Sequence, residues 1–126
     1  MKFYYNGKLM RTSKTREYHF AVLNTNGTCN SCHSTREAAE KEWRRPIAAH
    51  ETAIEEDLQC IKALERGKDH IDLKCRCGWI RVQLKGKDLF GNDRGQVSTW
   101  REYIESHKRD IAKLRTREIV ELEARA

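Results

Sequence analysis

The cysteines are the residues of this sequence whose type and spacing best suit chemistry. They form two close pairs, Cys29 with Cys32 and Cys75 with Cys77, separated by more than forty residues. A structural zinc ion prefers four tetrahedral ligands, and thiolates are common among them. Paired cysteine spacing of this kind is typical of zinc sites. We therefore predict one structural Zn²⁺, bound by Cys29, Cys32, Cys75 and Cys77, that ties the front of the chain to its middle.

Three other interpretations of these residues stay open. A histidine (His19, His33, His50 or His70) could replace one sulfur ligand. The stretch from Cys29 to His33 also matches the attachment motif of c-type haem, although that leaves the second pair unexplained. Finally, Cys29 and Cys32 could form a redox pair, since thioredoxin-like pairs open a helix after a strand. The fifth cysteine, Cys60, is expected on a helix as a small apolar residue.

Residues 1–34 are expected to be β-rich. The aromatic stretch Phe3–Tyr5 is followed by Asn6-Gly7, the strongest short signal for a type I′ hairpin turn. Alternating apolar residues predict a third strand over Tyr18–Leu23. The first cysteine pair then lies on a turn beside this sheet.

Two helices are predicted, over residues 35–67 and 98–126. Each begins with a capping box, in which a hydroxyl residue precedes a glutamate by three positions: Ser34 with Glu37, and Thr99 with Glu102. Pro46 lacks a backbone donor, so it should kink or restart the first helix. The apolar stripes of the two helices could pack antiparallel.

The segment between the helices, residues 68–97, is predicted to form a β-hairpin around the second cysteine pair, with Gly78 in the bend and a glycine-rich loop after it. At 126 residues the chain is long enough for one domain. The expected fold class is α+β, with one small antiparallel sheet. That sheet combines the N-terminal hairpin, the third strand and the middle hairpin. The two long helices pack together or on the sheet.

The net charge of +6 suits an anionic partner such as nucleic acid. Basic residues cluster near both cysteine pairs and would form one positive face if zinc joined them; a soluble basic surface is the simpler interpretation. Glu55 and Glu56 mark an acidic helix face. The candidate partner-binding residues are Arg11, Lys14, Arg16, Arg76, Arg81, Glu55 and Glu56.

Neither export nor catalysis is indicated. No apolar run approaches the ~20 residues of a membrane span, and the N-terminus lacks the apolar region of a signal peptide. A cytoplasmic protein with reduced thiols is expected. There is no recognisable catalytic motif, so we do not expect an enzyme, and His107 is expected to pack in the apolar stripe of the last helix.

The first third of the chain resembles small proteins encoded by phages of Gram-positive bacteria. The residues that carry the resemblance are Phe3 to Leu9, Arg11 to Thr15, Tyr18 to Val22 and Cys32 to Thr35. In that setting a small zinc protein with a helical body resembles the type II-A anti-CRISPR proteins. This resemblance implies inhibition of a Cas9-type nuclease by tight protein binding, without chemistry. The long heptad-like apolar stripes and the thin core are compatible with a monomer or a dimer. The alternative is a zinc-stabilised nucleic-acid-binding phage protein.

Overall fold

The computed structural model describes all 126 residues and has the predicted α+β fold, with two helices and eight strands. The chain forms two compact units: Met1–Ala49 with Ile111–Ala126, and His50–Asp110. We call them the first and the second unit. Whether they fold as the single domain expected from the sequence stays a prediction. Neither helix combines the length and the apolar character that crossing a membrane requires.

The N-terminal hairpin is confirmed in the first unit. Strands β1 (Lys2–Tyr5) and β2 (Lys8–Thr12) pair antiparallel. Asn6 and Gly7 join them with φ angles of +50° and +75°, the two positive values that a type I′ turn requires. The other edge of β1 pairs with β8 (Glu123–Arg125), which completes a three-stranded sheet.

The second sheet of this unit is built around β3 (Phe20–Leu23), which pairs on one side with β4 (Cys29–His33) and on the other with β7 (Glu118–Glu121). The central position of β3 explains its run of apolar residues, because a strand with two neighbours and a covered face loses contact with water. The core of the first unit consists of Phe3, Tyr18, Ala21, Leu23, Cys32 and Val120.

The first helix, α1, covers Arg36–Glu65. Its predicted cap was wrong by one residue: the Thr35 hydroxyl accepts the hydrogen bond from the Ala38 amide, whereas Ser34 donates to the Glu17 carbonyl. The helix continues through Pro46 and does not restart there. Proline removes only one backbone donor, and the neighbouring Ile47 is buried.

The middle hairpin of the second unit is confirmed as β5 (His70–Cys75) and β6 (Gly78–Gln83). These strands pair only with each other, so the structure has three sheets where we predicted one. The core of this unit joins α1 to the second helix, α2 (Val97–Leu114). Its buried members are Cys60, Ile61, Ala63, Leu84, Trp100 and Ile104.

The last helix differs from its prediction at both ends. Helix α2 covers Val97–Leu114, and Thr99 lies inside it, with its hydroxyl donating to the Asp93 carbonyl. Residues 118–125 are not helical but form β7 and β8. The open edges of β3 and β1 supply backbone partners there, and β-branched Ile119 and Val120 suit a half-buried strand better than a helix.

Candidate functional site

The first cysteine pair lies on strand β4, not on the predicted turn. Two residues three apart on a regular strand point to opposite faces. The register against β3 shifts between Cys29 and Ser31, however, so that Asn30 is an extra residue in a β-bulge. The bulge returns Cys29 to the face of Cys32, and their Sγ atoms lie 3.4 Å apart.

This pair fits half of a tetrahedral zinc site. Two sulfurs on one zinc ion lie about 3.8 Å apart, given a Zn–S bond of about 2.3 Å. Cys32 is buried in the core of the first unit and Cys29 is half-buried beside it. Burial, followed by the Cys29 thiol, raises the pKa of Cys32 to about 12. That shift disfavours the thiolate in the metal-free protein, the form that a reactive redox cysteine and a zinc ligand both require. The pair also does not open a helix as a thioredoxin-like pair would.

The second cysteine pair lies at the tip of the middle hairpin. Cys75 ends β5 and is half-buried, and Cys77 is exposed in the turn. Gly78 follows with a φ of +119°, a backbone conformation that favours glycine. The two pairs belong to different units, and the shared four-sulfur zinc site stays a prediction.

The histidines named as substitute ligands make local contacts. His33 Nε2 lies 2.8 Å from the Ser31 hydroxyl, and His70 Nδ1 lies 2.9 Å from Asp69. His19 Nε2 is 3.5 Å from Glu17. Only His50 of this group takes part in a cluster of potential metal ligands.

The five predicted basic residues, Arg11, Lys14, Arg16, Arg76 and Arg81, are all exposed. The Arg11 guanidinium lies 4.7 Å from the centre of the Tyr18 ring, and Arg81 pairs with Asp72 at 3.3 Å. Glu55 is exposed and Glu56 is half-buried. The merger of the basic residues into one positive face stays a prediction, since Arg76 and Arg81 belong to the second unit and the others to the first.

A histidine pair that the sequence analysis did not predict lies in the second unit. His50 Nδ1 on α1 and His107 Nδ1 on α2 are 2.8 Å apart, and the rings are 5.1 Å apart between centres. A carboxylate oxygen of Asp110 joins them: one ligand atom from each of the three residues lies within 4.8 Å of the other two. All three residues are half-buried.

A second carboxylate lies behind His107. Asp57 Oδ2 is 3.8 Å from His107 Nε2, the ring nitrogen that faces away from His50. This oxygen is buried and has no hydrogen-bond partner. Burial, with a smaller contribution from the Glu56 charge, raises the pKa of Asp57 to about 6. An N–H group on His107 Nε2 is the kind of partner that would satisfy it.

The sequence contains a partial signal for this cluster. His107 and Asp110 are three residues apart, a spacing that places two side chains on one helix face. The sequence allowed the two helices to pack antiparallel, but it did not predict the pairing that sets His50 opposite His107. We interpreted His107 as a core residue because it follows the apolar stripe.

Asp57 also lines an open pocket of about 450 Å³ in the second unit. Across this pocket the Tyr103 hydroxyl donates a hydrogen bond to Asp88. That bond holds the pKa of Asp88 below its usual range, and burial together with the same bond raises the pKa of Tyr103 to about 12. The other residues around the pocket include Cys60, Leu73, Lys87, Arg94 and Trp100.

Two pairs of large apolar residues are exposed in the same unit. Trp79 and Ile80, beside the hairpin turn, are 70% and 53% exposed, and Leu89 and Phe90, in the following loop, are 101% and 87% exposed. In the hairpin register Trp79 lies opposite Lys74, on the solvent face. Ile80 is on the other face of the hairpin, opposite buried Leu73. Large apolar side chains this open to water make the hairpin and the following loop candidates for a binding surface.

The comparisons with known proteins found no match. No family model matches the chain, and neither curated proteins nor solved structures give a match.

Proposed function

We propose that this chain is a cytoplasmic protein that acts by binding another protein, without catalysing a reaction, and that the second unit carries the docking surface. The observation that carries the proposal is the exposure of Trp79, Ile80, Leu89 and Phe90. Aromatic side chains are enriched in interface cores, where a few of them supply most of the binding energy.

The charge of the second unit favours a protein partner over nucleic acid for this surface. The second unit has twelve basic and twelve acidic side chains, so its net charge is zero, and the whole surplus of +6 belongs to the first unit. Binding to nucleic acid depends chiefly on cations that neutralise phosphates. Moreover, Ile80 and Leu89 have no ring with which to stack on a base.

The partner surface can be described from the hairpin itself. Exposed Lys74 lies opposite Trp79 in the hairpin register and exposed Arg76 lies in the turn, and neither forms an ion pair within the protein. A complementary partner therefore has an apolar recess with an acidic rim, since matched charges steer association and set orientation.

The resemblance of the first third of the chain supplies the specific form of the proposal: a phage protein that inhibits a Cas9-type nuclease in the bacterial cytoplasm. Such an enzyme must hold guide and target and then change conformation before it cuts. A protein that grips one of its lobes stops this change without chemistry. We include a structural zinc ion, which the Cys29–Cys32 geometry supports.

The test is a cleavage assay with a purified Cas9-type enzyme, combined with size exclusion. Wild-type protein should reduce cleavage and co-elute with the enzyme. Trp79→Ala should weaken binding by about 2 kcal/mol or more, which is roughly 30-fold in Kd. The matched control is Leu9→Ala, which removes a half-exposed apolar side chain from the first unit. Unchanged cleavage at excess protein rejects inhibition of that enzyme.

The nucleic-acid alternative is an outcome of the same experiment. A protein that binds DNA or RNA through Lys8, Arg11, Lys14 and Arg16 would lose affinity steeply as salt rises. Such binding, unaffected by Trp79→Ala and without co-elution with the nuclease, would replace our proposal.

A further inference from the structure

We propose that His50, His107 and Asp110 bind one divalent transition-metal ion, Zn²⁺ first among the common ones, at a site separate from the cysteines. The ligands come from two packed helices, since His50 lies on α1 and the other two on α2. One potential ligand atom from each lies within 4.8 Å of the others.

The types of ligand select the class of metal. Two imidazoles and one carboxylate suit zinc and its neighbours, whereas magnesium and calcium prefer oxygen ligands alone. Two nitrogen ligands of one tetrahedral zinc ion lie roughly 3.3 Å apart, given Zn–N bonds of about 2.0 Å. The two Nδ1 atoms are 2.8 Å apart, so a side-chain movement of about half an ångström admits the ion.

Asp57 is the independent observation that favours a metal over a simple pair of hydrogen-bonded histidines. A histidine that binds a metal through one nitrogen typically donates its other N–H to a carboxylate. Here His107 directs Nδ1 toward His50 and Nε2 toward Asp57. Asp57 Oδ2 is buried without a partner, 3.8 Å from that nitrogen. A small rotation of the ring that brings Nδ1 onto a metal can also supply this missing hydrogen bond.

Three protein ligands leave one tetrahedral position for water or another ligand. This arrangement, two histidines and a carboxylate, is that of zinc sites with an open position rather than of closed structural sites. The two proposed metal sites of the chain therefore differ in their ligands: sulfur at the cysteines, and nitrogen and oxygen at His50, His107 and Asp110.

Cobalt and zinc titrations of the whole chain test the inference, because Co²⁺ bound to sulfur gives a strong thiolate charge-transfer band and Co²⁺ bound to nitrogen and oxygen does not. Cys77→Ser protein, which should lack the thiolate band, should keep visible Co²⁺ bands from the histidine site, and Zn²⁺ should displace them. His107→Gln and Asp110→Asn should weaken this component by about 100-fold or more, and Asp57→Asn by about 10- to 100-fold. The control is His19→Gln, an exposed histidine of the first unit.

Nuclear magnetic resonance of the histidine rings in wild-type protein keeps the inference testable if a variant fails to fold. Addition of Zn²⁺ should shift the ring nitrogens of His50 and His107 and leave those of His19 and His70 unchanged. Equal metal affinity of the folded His107→Gln variant, or a response spread evenly over all five histidines, would overturn the site.

Discussion

The thiols of Cys29 and Cys32 lie 3.4 Å apart on one face of strand β4, although the two residues are three positions apart along the strand. The extra residue Asn30 makes this possible by shifting the register against β3. A bulge re-aims a side chain that a regular strand would direct away. The pairing of the two sulfurs thus depends on the backbone of the sheet.

Our first prediction concerns this pair and zinc. Cys32→Ser and Cys77→Ser should each remove the cysteine-bound zinc and lower Tm by roughly 10 °C or more, because metal binding is linked to folding. Strong chelation of the wild type should have the same effect. Zinc analysis measures the bound metal, and thermal unfolding measures Tm. The control is the Cys60→Ala variant, which should keep the cysteine-bound zinc. Full zinc in Cys77→Ser would contradict the four-sulfur site.

A second prediction concerns Arg117, whose side chain is buried. Its guanidinium donates to the carbonyls of Trp43 and Leu114, while the Trp43 indole donates to the Arg117 carbonyl at 3.0 Å. Arg117→Ala removes both charged side-chain hydrogen bonds, worth about 1.5–3 kcal/mol each, although the Leu114 carbonyl keeps its bond from the backbone amide of residue 117. We expect a loss of about 2–4 kcal/mol in the free energy of unfolding.

Denaturant unfolding measures this loss, and Arg115→Ala is the matched control. Arg115 is exposed, and surface substitutions usually change stability by about 0.5 kcal/mol or less. Equal stability of the two variants would show that the contacts of Arg117 with α1 and α2 contribute little.

Much of the fold follows from short-range signals in the sequence. Asn6-Gly7 specifies a type I′ turn because both residues accept positive φ, and the hairpin around Cys75 and Gly78 follows from alternation broken by a glycine. Such features depend on residues that are close together along the chain. The same holds for the two helices, whose apolar stripes are periodic.

The parts that could not be predicted depend on distant partners. Residues 118–121 carry an apolar pattern compatible with a helix, and they form a strand because the edge of β3 is available to them. The contact between His50 and His107 spans 57 positions, and nothing local to either histidine indicates the other. The bulge at Asn30 is likewise set by pairing with β3 and not by its own sequence.

A third prediction concerns the reactivity of the thiols in chelator-treated protein. Cys77 is exposed, whereas Cys60 is 1% exposed. Burial, with the charge of Asp57, raises the pKa of Cys60 to about 11. At pH 8 about one Cys60 thiol in a thousand is then a thiolate, the form that reacts.

We therefore expect Ellman's reagent or iodoacetamide to modify Cys77 rapidly and Cys60 only after unfolding, as mapped by peptide mass spectrometry. Denatured protein, in which all five cysteines should react, is the control. Modification of Cys60 at the rate of Cys77 would show that the core of the second unit opens readily.

The final prediction concerns pH and the hydrogen bond from Tyr103 to Asp88. This bond lowers the pKa of Asp88, so its stabilising effect is present above the unfolded value of about 4 and is lost as the pH falls through the folded value. The contribution of Tyr103 to stability depends on pH in the opposite direction. Burial and the same bond raise its pKa to about 12, so its contribution is present below about pH 10 and is lost as the pH rises toward 12.

The difference in stability between wild-type protein and Tyr103→Phe should therefore be largest between about pH 5 and pH 9, and should shrink on both sides of that window. Denaturant unfolding across this pH range measures it. Tyr4→Phe, which removes a hydroxyl from the first unit, should give a nearly constant difference. A pH-independent difference for Tyr103→Phe would mean that the hydroxyl stabilises the pocket by packing alone and not through the carboxylate of Asp88.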